Sequence, residues 1–180
     1  ARHGIYGYTI GTEGYDQAVV EWMKRRHSWK VDPGWIVTTP GVIPALNLLV
    51  RTFAGPGDKV LVQRPVYYPF FSAIESNGGQ IVSSSLVLNS GRYEMDFADF
   101  ERKAADRATT LFILCSPHNP VGRVWTRQEL TRIGEICLRH GVLVVADEIH
   151  GDLTYSGVEY TPLAAIGDAQ RSAAHTSWGT

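Results

Sequence analysis

Cysteine is scarce in this chain, neither sign of charge prevails, and no apolar run is long. Only Cys115 and Cys137 carry thiols among 180 residues. One ends an apolar, strand-like run and the other sits on a helical stripe, so the pattern favours two packed thiols over a disulfide, in a reducing, cytoplasmic setting. Lys and Arg number 17 against 18 Asp and Glu, a formal charge of −1, which leaves no basic face for nucleic acid. The apolar stretches fall far short of the roughly 20 residues that span a bilayer, so a membrane partner is not expected. No internal repeat or low-complexity linker is present. What remains is an ordinary globular composition, 44% hydrophobic, in a length able to bury roughly 70% of its unfolded surface around one core.

Against that plain background one run is distinctive. Leu143, Val144, Val145 and Ala146 lead directly into Asp147, Glu148, Ile149 and His150. A continuous apolar run reads as a strand covered on both faces, and ligands of open α/β sheets collect outside the carboxyl ends of such strands. A carboxylate placed there calls for a cationic partner. A second apolar run, Thr110–Cys115, ends in Ser116, Pro117, His118, Asn119, Pro120, Val121 and Gly122, a turn rich in polar side chains. The two strand ends would bring an amide and a carboxylate together. A pyridine ring with a neighbouring phenolic oxygen needs that pair, because the carboxylate keeps the ring nitrogen protonated while the amide donates to the oxygen.

The rest of the chain supplies the frame. Tyr15, Ala18, Val19, Trp22 and Met23 share one helical face, followed by Lys24, Arg25, Arg26 and His27 where cations suit the helix dipole. Trp35–Thr39 reads as a short strand, and Pro40 and Gly41 open an apolar helix that ends near Gly55–Asp58. Strands are expected at Lys59–Gln63 and Gln80–Ser84, and helices at Pro69–Ser76 and Asp96–Ala104. The helix Thr126–Arg139 carries a capping box, Thr126 with Glu129, and is closed by Gly141. This β, α, β alternation predicts an α/β fold, a mostly parallel twisted sheet with helices on both faces and right-handed connections.

Several residues could carry chemistry on this frame, each beside a plainer reading. The backbone N–H groups of Gly41, Val42 and Ile43, at a helix start after a strand, suit an anion such as phosphate, or Pro40 and Gly41 simply start a helix. Tyr67, between Pro65 and Pro69, could stack on a flat ring, or be a core tyrosine. Asn119 is held extended by Pro120, which is also how an ordinary turn is made. A turn does not account for Asp147.

Three segments in order, PVYYPF (65–70), CSPHNPVGRVWT (115–126) and DEIHGDL (147–153), together with the opening HGIYGYT (3–9), resemble fold-type I pyridoxal-phosphate enzymes. Within them the pattern is similar to the cystathionine β-lyase-like, carbon–sulfur lyase branch of the class I/II aminotransferase family, and the likeness covers essentially the whole chain. It implies pyridoxal 5′-phosphate as cofactor and an amino acid as substrate. The phosphate would lie on Gly41, Val42 and Ile43, and the ring would stack on Tyr67 rather than its neighbour Tyr68. Asn119 would meet the phenolic oxygen and Asp147 the ring nitrogen. His150 stands where many aminotransferases carry a tyrosine touching the same oxygen, although a local hydrogen-bonding role fits it as well. Tyr8, with Tyr6 as its rival, matches a position that reaches the phosphate of the neighbouring subunit in a homodimer.

The resemblance also implies a Schiff-base lysine on a Ser-x-x-Lys turn after a strand. Lys24, Lys30, Lys59 and Lys103 all read as solvated surface charges, and the strand-like Ala173–Trp178 stops just before such a turn. Ala1–Gly4 contain neither an initiator Met nor a signal-peptide core. The expectation is therefore a fragment: an arm over residues 1–14 and, over 15–180, part of the large domain of the aspartate-aminotransferase-like fold, without the small domain and inactive alone. On the family pattern the sheet would lack one strand, exposing edges that favour aggregation. Isolated, the segment is expected not to unfold cooperatively from a soluble monomer. The complete enzyme would perform α,β-elimination on a cystathionine-like substrate. The alternatives are a class I/II aminotransferase and a cofactor-binding regulatory module without catalysis.

Overall fold

The computed structural model describes residues 11, 13–166 and 175–177, the last three as backbone. The chain divides into two compact units, Ala1–Thr38 and Thr39–Thr180. The first contains helix α1, Glu13–His27, with Glu13 and Asp16 in its first turn and four basic residues in its last, the polarity that the helix dipole favours. A single turn of 3₁₀-helix follows at Pro33–Trp35, capped by Asp32, whose side chain accepts the Gly34 N–H at 2.7 Å.

The expected strand Trp35–Thr39 does not form. The Trp35 and Ile36 N–H groups are already bonded to the Asp32 and Pro33 carbonyls, at 2.9 and 3.1 Å, and Trp35 and Val37 stay 68% and 81% exposed. β-Branched residues favour an extended backbone, yet a strand needs a free ladder. Here the Asp-Pro-Gly turn uses the donors first.

The second unit holds the sheet. In chain order it runs α2 (Val42–Phe53), β1 (Lys59–Val62), α3 (Pro69–Glu75), β2 (Gln80–Ser83), β3 (Val87–Asn89), β4 (Arg92–Glu94), α4 (Phe97–Ala104), β5 (Thr109–Cys115), α5 (Arg127–His140), β6 (Leu143–Asp147), a 3₁₀ turn at Leu163–Ala165, and β7 (His175–Ser177). Five strands form one sheet in the order β2-β1-β5-β6-β7, and every pair in it is parallel.

Alternation along the strands builds a layer on each side. Val60, Val62, Leu111, Ile113, Cys115 and Val145 pack with Leu46 and Val50 of α2 and Phe70 and Ile74 of α3. Leu61, Phe112, Leu114, Val144 and Ala146 pack with Phe100 of α4 and Leu130, Ile133 and Cys137 of α5. The sheet is thus the middle of three layers, as the two-sided apolar runs require. Both cysteines are free thiols inside these layers, and burial pushes each thiol up to about 12.

A hairpin and the two 3₁₀ turns have no counterpart among the expected elements. The antiparallel hairpin β3-β4 turns through Ser90 and Gly91, with φ of 48° and 80°, the two-residue geometry that follows strand twist.

The α5 crossover is held at both ends. The Thr126 hydroxyl accepts the Glu129 N–H at 3.2 Å while Glu129 accepts the Thr126 N–H at 2.7 Å, and Gly141 closes the helix at φ 70°. Arg123 grips the same Glu129 through one terminal nitrogen at 2.7 and 2.8 Å and donates from the other to the Tyr93 carbonyl. Thr126→Ala should cost about 0.5–2 kcal/mol, read as a shift in denaturant midpoint that Thr126→Ser largely avoids. An unchanged midpoint for the alanine variant would show that Arg123 alone orients Glu129. Among the described residues no helix is long and apolar enough to cross a membrane.

Candidate functional site

The carboxyl ends of β5 and β6 meet in register. Cys115 pairs with Asp147, and the chain leaves β5 with the Ser116 N–H bonded to the Asp147 carbonyl at 2.9 Å. Asp147 is only 4% exposed, and its Oδ1 accepts the Ile149 N–H at 3.3 Å. By strand parity it shares the α2/α3 side of the sheet with Cys115 and Val145. The residue picked out by its sequence setting is therefore a buried carboxylate at the mouth of the central strands.

Asn119 is tied to the same point. Its N–H donates to the Cys115 sulfur at 3.3 Å, within a tight loop where the His118 and Arg123 backbones pair, His118 N–H to Arg123 carbonyl at 2.7 Å. The loop returns the chain over the strand end and leaves the Asn119 side chain half-buried. Asn119 and Asp147 thus converge on Cys115, one through the sulfur and the other through the ladder.

Val42, Ile43 and Tyr67 pack on the cluster that contains Cys115. Gly41 precedes α2 with φ 136°, has no side chain to cap the helix, and is followed by a first turn without an acidic residue. The opening N–H groups of a helix have no intrahelical acceptor, so this end presents donors and a positive dipole to an anion. Tyr67 is half-buried, its ring 6.1 Å from Phe70 in an edge contact, whereas Tyr68 is 74% exposed. His150 sits half-buried on the turn after Asp147, its carbonyl accepting the Leu153 N–H at 2.8 Å. Tyr8 lies outside the described residues.

Polar groups that sequence reasoning passed over are buried around this point. Glu148 has no exposed surface, and its Oε1 accepts the Leu163 N–H at 2.8 Å. His118 is buried edge-on against Trp125, with ring centroids 5.5 Å apart, and burial holds its pKa down to about 4, so the imidazole is neutral at pH 7. Trp125 in turn donates to the Cys115 carbonyl at 2.9 Å. Gln63 Oε1 and Ser116 Oγ are enclosed with no hydrogen-bond partner among the described residues. For Glu148 the signal was its place directly behind Asp147; for His118, a histidine inside the proline-rich turn. In the sequence each reads as part of a motif rather than as a buried group.

The profile of the family described as Aminotransferase class I and II matches residues 2–177. The chain belongs to this family. It is 50% identical to cystathionine beta-lyase PatB of Bacillus subtilis (strain 168) over 92% of its own length and 43% of PatB. Cystalysin from Treponema denticola, solved with a pyridoxal 5′-phosphate cofactor, superposes with a TM-score of 0.91 at 42% identity, covering 96% of this chain and 43% of that one. The pyridoxal-phosphate-bound C-S lyase from Staphylococcus hominis gives 0.87 at 36% identity, over 90% and 42%. The sequence therefore spans less than half the length of these relatives.

The chain's own residues fit the cofactor held in the cystalysin and Staphylococcus hominis structures. A buried carboxylate, a nearby amide, a half-buried aromatic ring and an uncapped helix start without acidic residues are the donors and acceptors that a pyridinium nitrogen, a phenolic oxygen, a flat ring and a phosphate call for.

Proposed function

We propose that this sequence forms part of a pyridoxal-phosphate-dependent carbon–sulfur β-lyase acting on a cystathionine-like or other cysteine-conjugate amino acid. The overall reaction takes substrate and water to a thiol, pyruvate and ammonia by α,β-elimination. Burial of Asp147 at 4% exposure, in register with the residue that holds Asn119, is the observation that carries the reading. The similarity to PatB and cystalysin supports the lyase branch.

Asp147 holds a proton on the ring nitrogen, which a carboxylate shielded from water does more strongly than an exposed one. Asn119 donates its amide to the phenolic oxygen. Gly41, Val42 and Ile43 take the phosphate on backbone N–H groups, and Tyr67 packs on the ring face. His150 stands close enough in sequence to Asp147 to contribute to the same rim, and Tyr8 is assigned to the phosphate of a partner subunit in a cytoplasmic homodimer. When bound, the cofactor supplies an electron sink for the pair left at the substrate Cα.

The test is product analysis of the complete protein supplied with pyridoxal 5′-phosphate and cystathionine. Stoichiometric thiol, pyruvate and ammonia without an added keto acid support elimination. A keto acid formed only with an amino acceptor would instead assign an aminotransferase, and no binding of the cofactor would reject the whole reading.

A further inference from the structure

Glu148 has no place among these roles, yet it is the most completely enclosed acidic group of the described residues. It begins a long excursion of the chain and also closes it. Its backbone carbonyl accepts the Gly151 N–H at 2.9 Å, which folds the turn carrying His150. Its side-chain Oε1 reaches fifteen residues ahead to the Leu163 N–H at 2.8 Å. Leu163 opens a 3₁₀ turn whose preceding residue, Pro162, has no side-chain cap to offer, so Glu148 provides the missing acceptor. Between the two anchors the chain runs out to Leu153 and Tyr155, 77% and 90% exposed.

The lid over the carboxyl is built as closely as its base. Tyr160 is buried, and its hydroxyl lies beside the Glu148 carboxyl and interacts with it. Gly151 lies under that ring: a Cβ there would meet Tyr160 Cε1 at 2.7 Å and the Glu148 carbonyl at 3.2 Å. A side chain at this position would force the buried Tyr160 ring to shift.

We propose that Glu148 is a positioning residue, a buried neutral carboxylic acid that pins the 149–163 segment to the end of β6 and thereby fixes Asp147 and His150 for the cofactor. This rests on the proposed pyridoxal-phosphate site. Enclosure gives the reason for neutrality, since an ion there would lack hydration. Burial pushes the Glu148 pKa up to about 8, with the Leu163 N–H and the Tyr160 hydroxyl opposing and the Asp147 charge adding. The other groups facing the pair are Tyr160, itself driven upward by burial and by Glu148, and Asp152 beyond it; these are acids too.

Two variants of the complete protein separate the parts of the claim. Glu148→Gln keeps a neutral acceptor for Leu163, and Glu148→Leu keeps volume without one. In the cofactor-free protein, hydrogen exchange at Leu163 should quicken by ~10-fold or more for the leucine variant and change little for glutamine. Pyridoxal 5′-phosphate affinity, by equilibrium dialysis, should fall about 10-fold for leucine and less than about twofold for glutamine. Because the folded protein holds this proton between about pH 4.5 and 8 while the unfolded chain releases it, the wild type loses stability as pH rises through that window. Glu148→Gln should remove that part of the slope and melt above the wild type at pH 9. Unaltered exchange in the leucine variant, or a glutamine variant as impaired as leucine, would overturn the proposal. Loss of cofactor binding by the wild type itself would instead reject the site, and the exchange measurement would still judge the clamp.

Discussion

Asp147→Ala in the complete protein is expected to lower pyruvate release from cystathionine by about 10²–10³-fold, the range seen when one preorganised electrostatic partner is removed from a reaction centre. The effect is differential. With the cofactor bound, its ring would serve as the electron sink for Cα deprotonation, and Asp147 would hold the proton on the ring nitrogen in place. A 4% exposed carboxylate does this without competition from water.

Asp147→Asn separates charge from shape. The amide oxygen can still accept the Ile149 N–H that now meets Oδ1 at 3.3 Å, so the strand end should remain folded, yet turnover should fall nearly as far as with alanine. An asparagine variant with wild-type turnover would remove the ring nitrogen from the mechanism. A variant that keeps its circular dichroism and still binds the cofactor would localise the loss to chemistry.

Much of this arrangement was legible before any coordinates. The sheet could be read because strands covered on both faces show no alternation, and Leu143–Ala146 and Leu111–Cys115 are such runs. Helix α5 could be read because the capping box and Gly141 act locally, through atoms a few residues apart. The run Trp35–Thr39 misled, since its extended preference is real but the Trp35 and Ile36 N–H groups are claimed by the turn capped by Asp32. The hairpin at Ser90–Gly91 escaped because its strands are three residues each and carry no periodicity.

The site was half legible for a related reason. Asp147 and Asn119 could be named from strand ends, which sequence marks. What holds them comes from pairings far apart in the chain: the Glu148 carboxyl with Leu163, and Trp125 with the Cys115 carbonyl. A buried glutamate and a buried tryptophan look the same in a sequence as exposed ones. Only the enclosure tells which polar atom is an anchor.

Trp125 should produce the largest stability effect of any single residue near the site. Its ring is 1% exposed, lies edge-on to His118 at 5.5 Å, carries the Arg123 guanidinium 4.5 Å from its centroid, and donates to the Cys115 carbonyl at 2.9 Å. Trp125→Ala should cost about 3–5 kcal/mol from the cavity, seen as a lower denaturant midpoint. Trp125→Phe refills most of the volume but removes the donor, so its cost should drop to about 1–3 kcal/mol, the penalty for a buried acceptor losing its partner.

The consequence reaches the site through one residue. Cys115 is the partner of Asp147 in the ladder and the acceptor for the Asn119 N–H, so a strand end loosened at its carbonyl loosens both groups at once. Cofactor affinity should therefore fall in the phenylalanine variant by more than in Thr126→Ala, although each loses a single hydrogen bond, the first to the end of β5 and the second within the α5 cap. Equal affinities in the two variants would mean that the tryptophan supports only the core and that Asn119 and Asp147 are held without it.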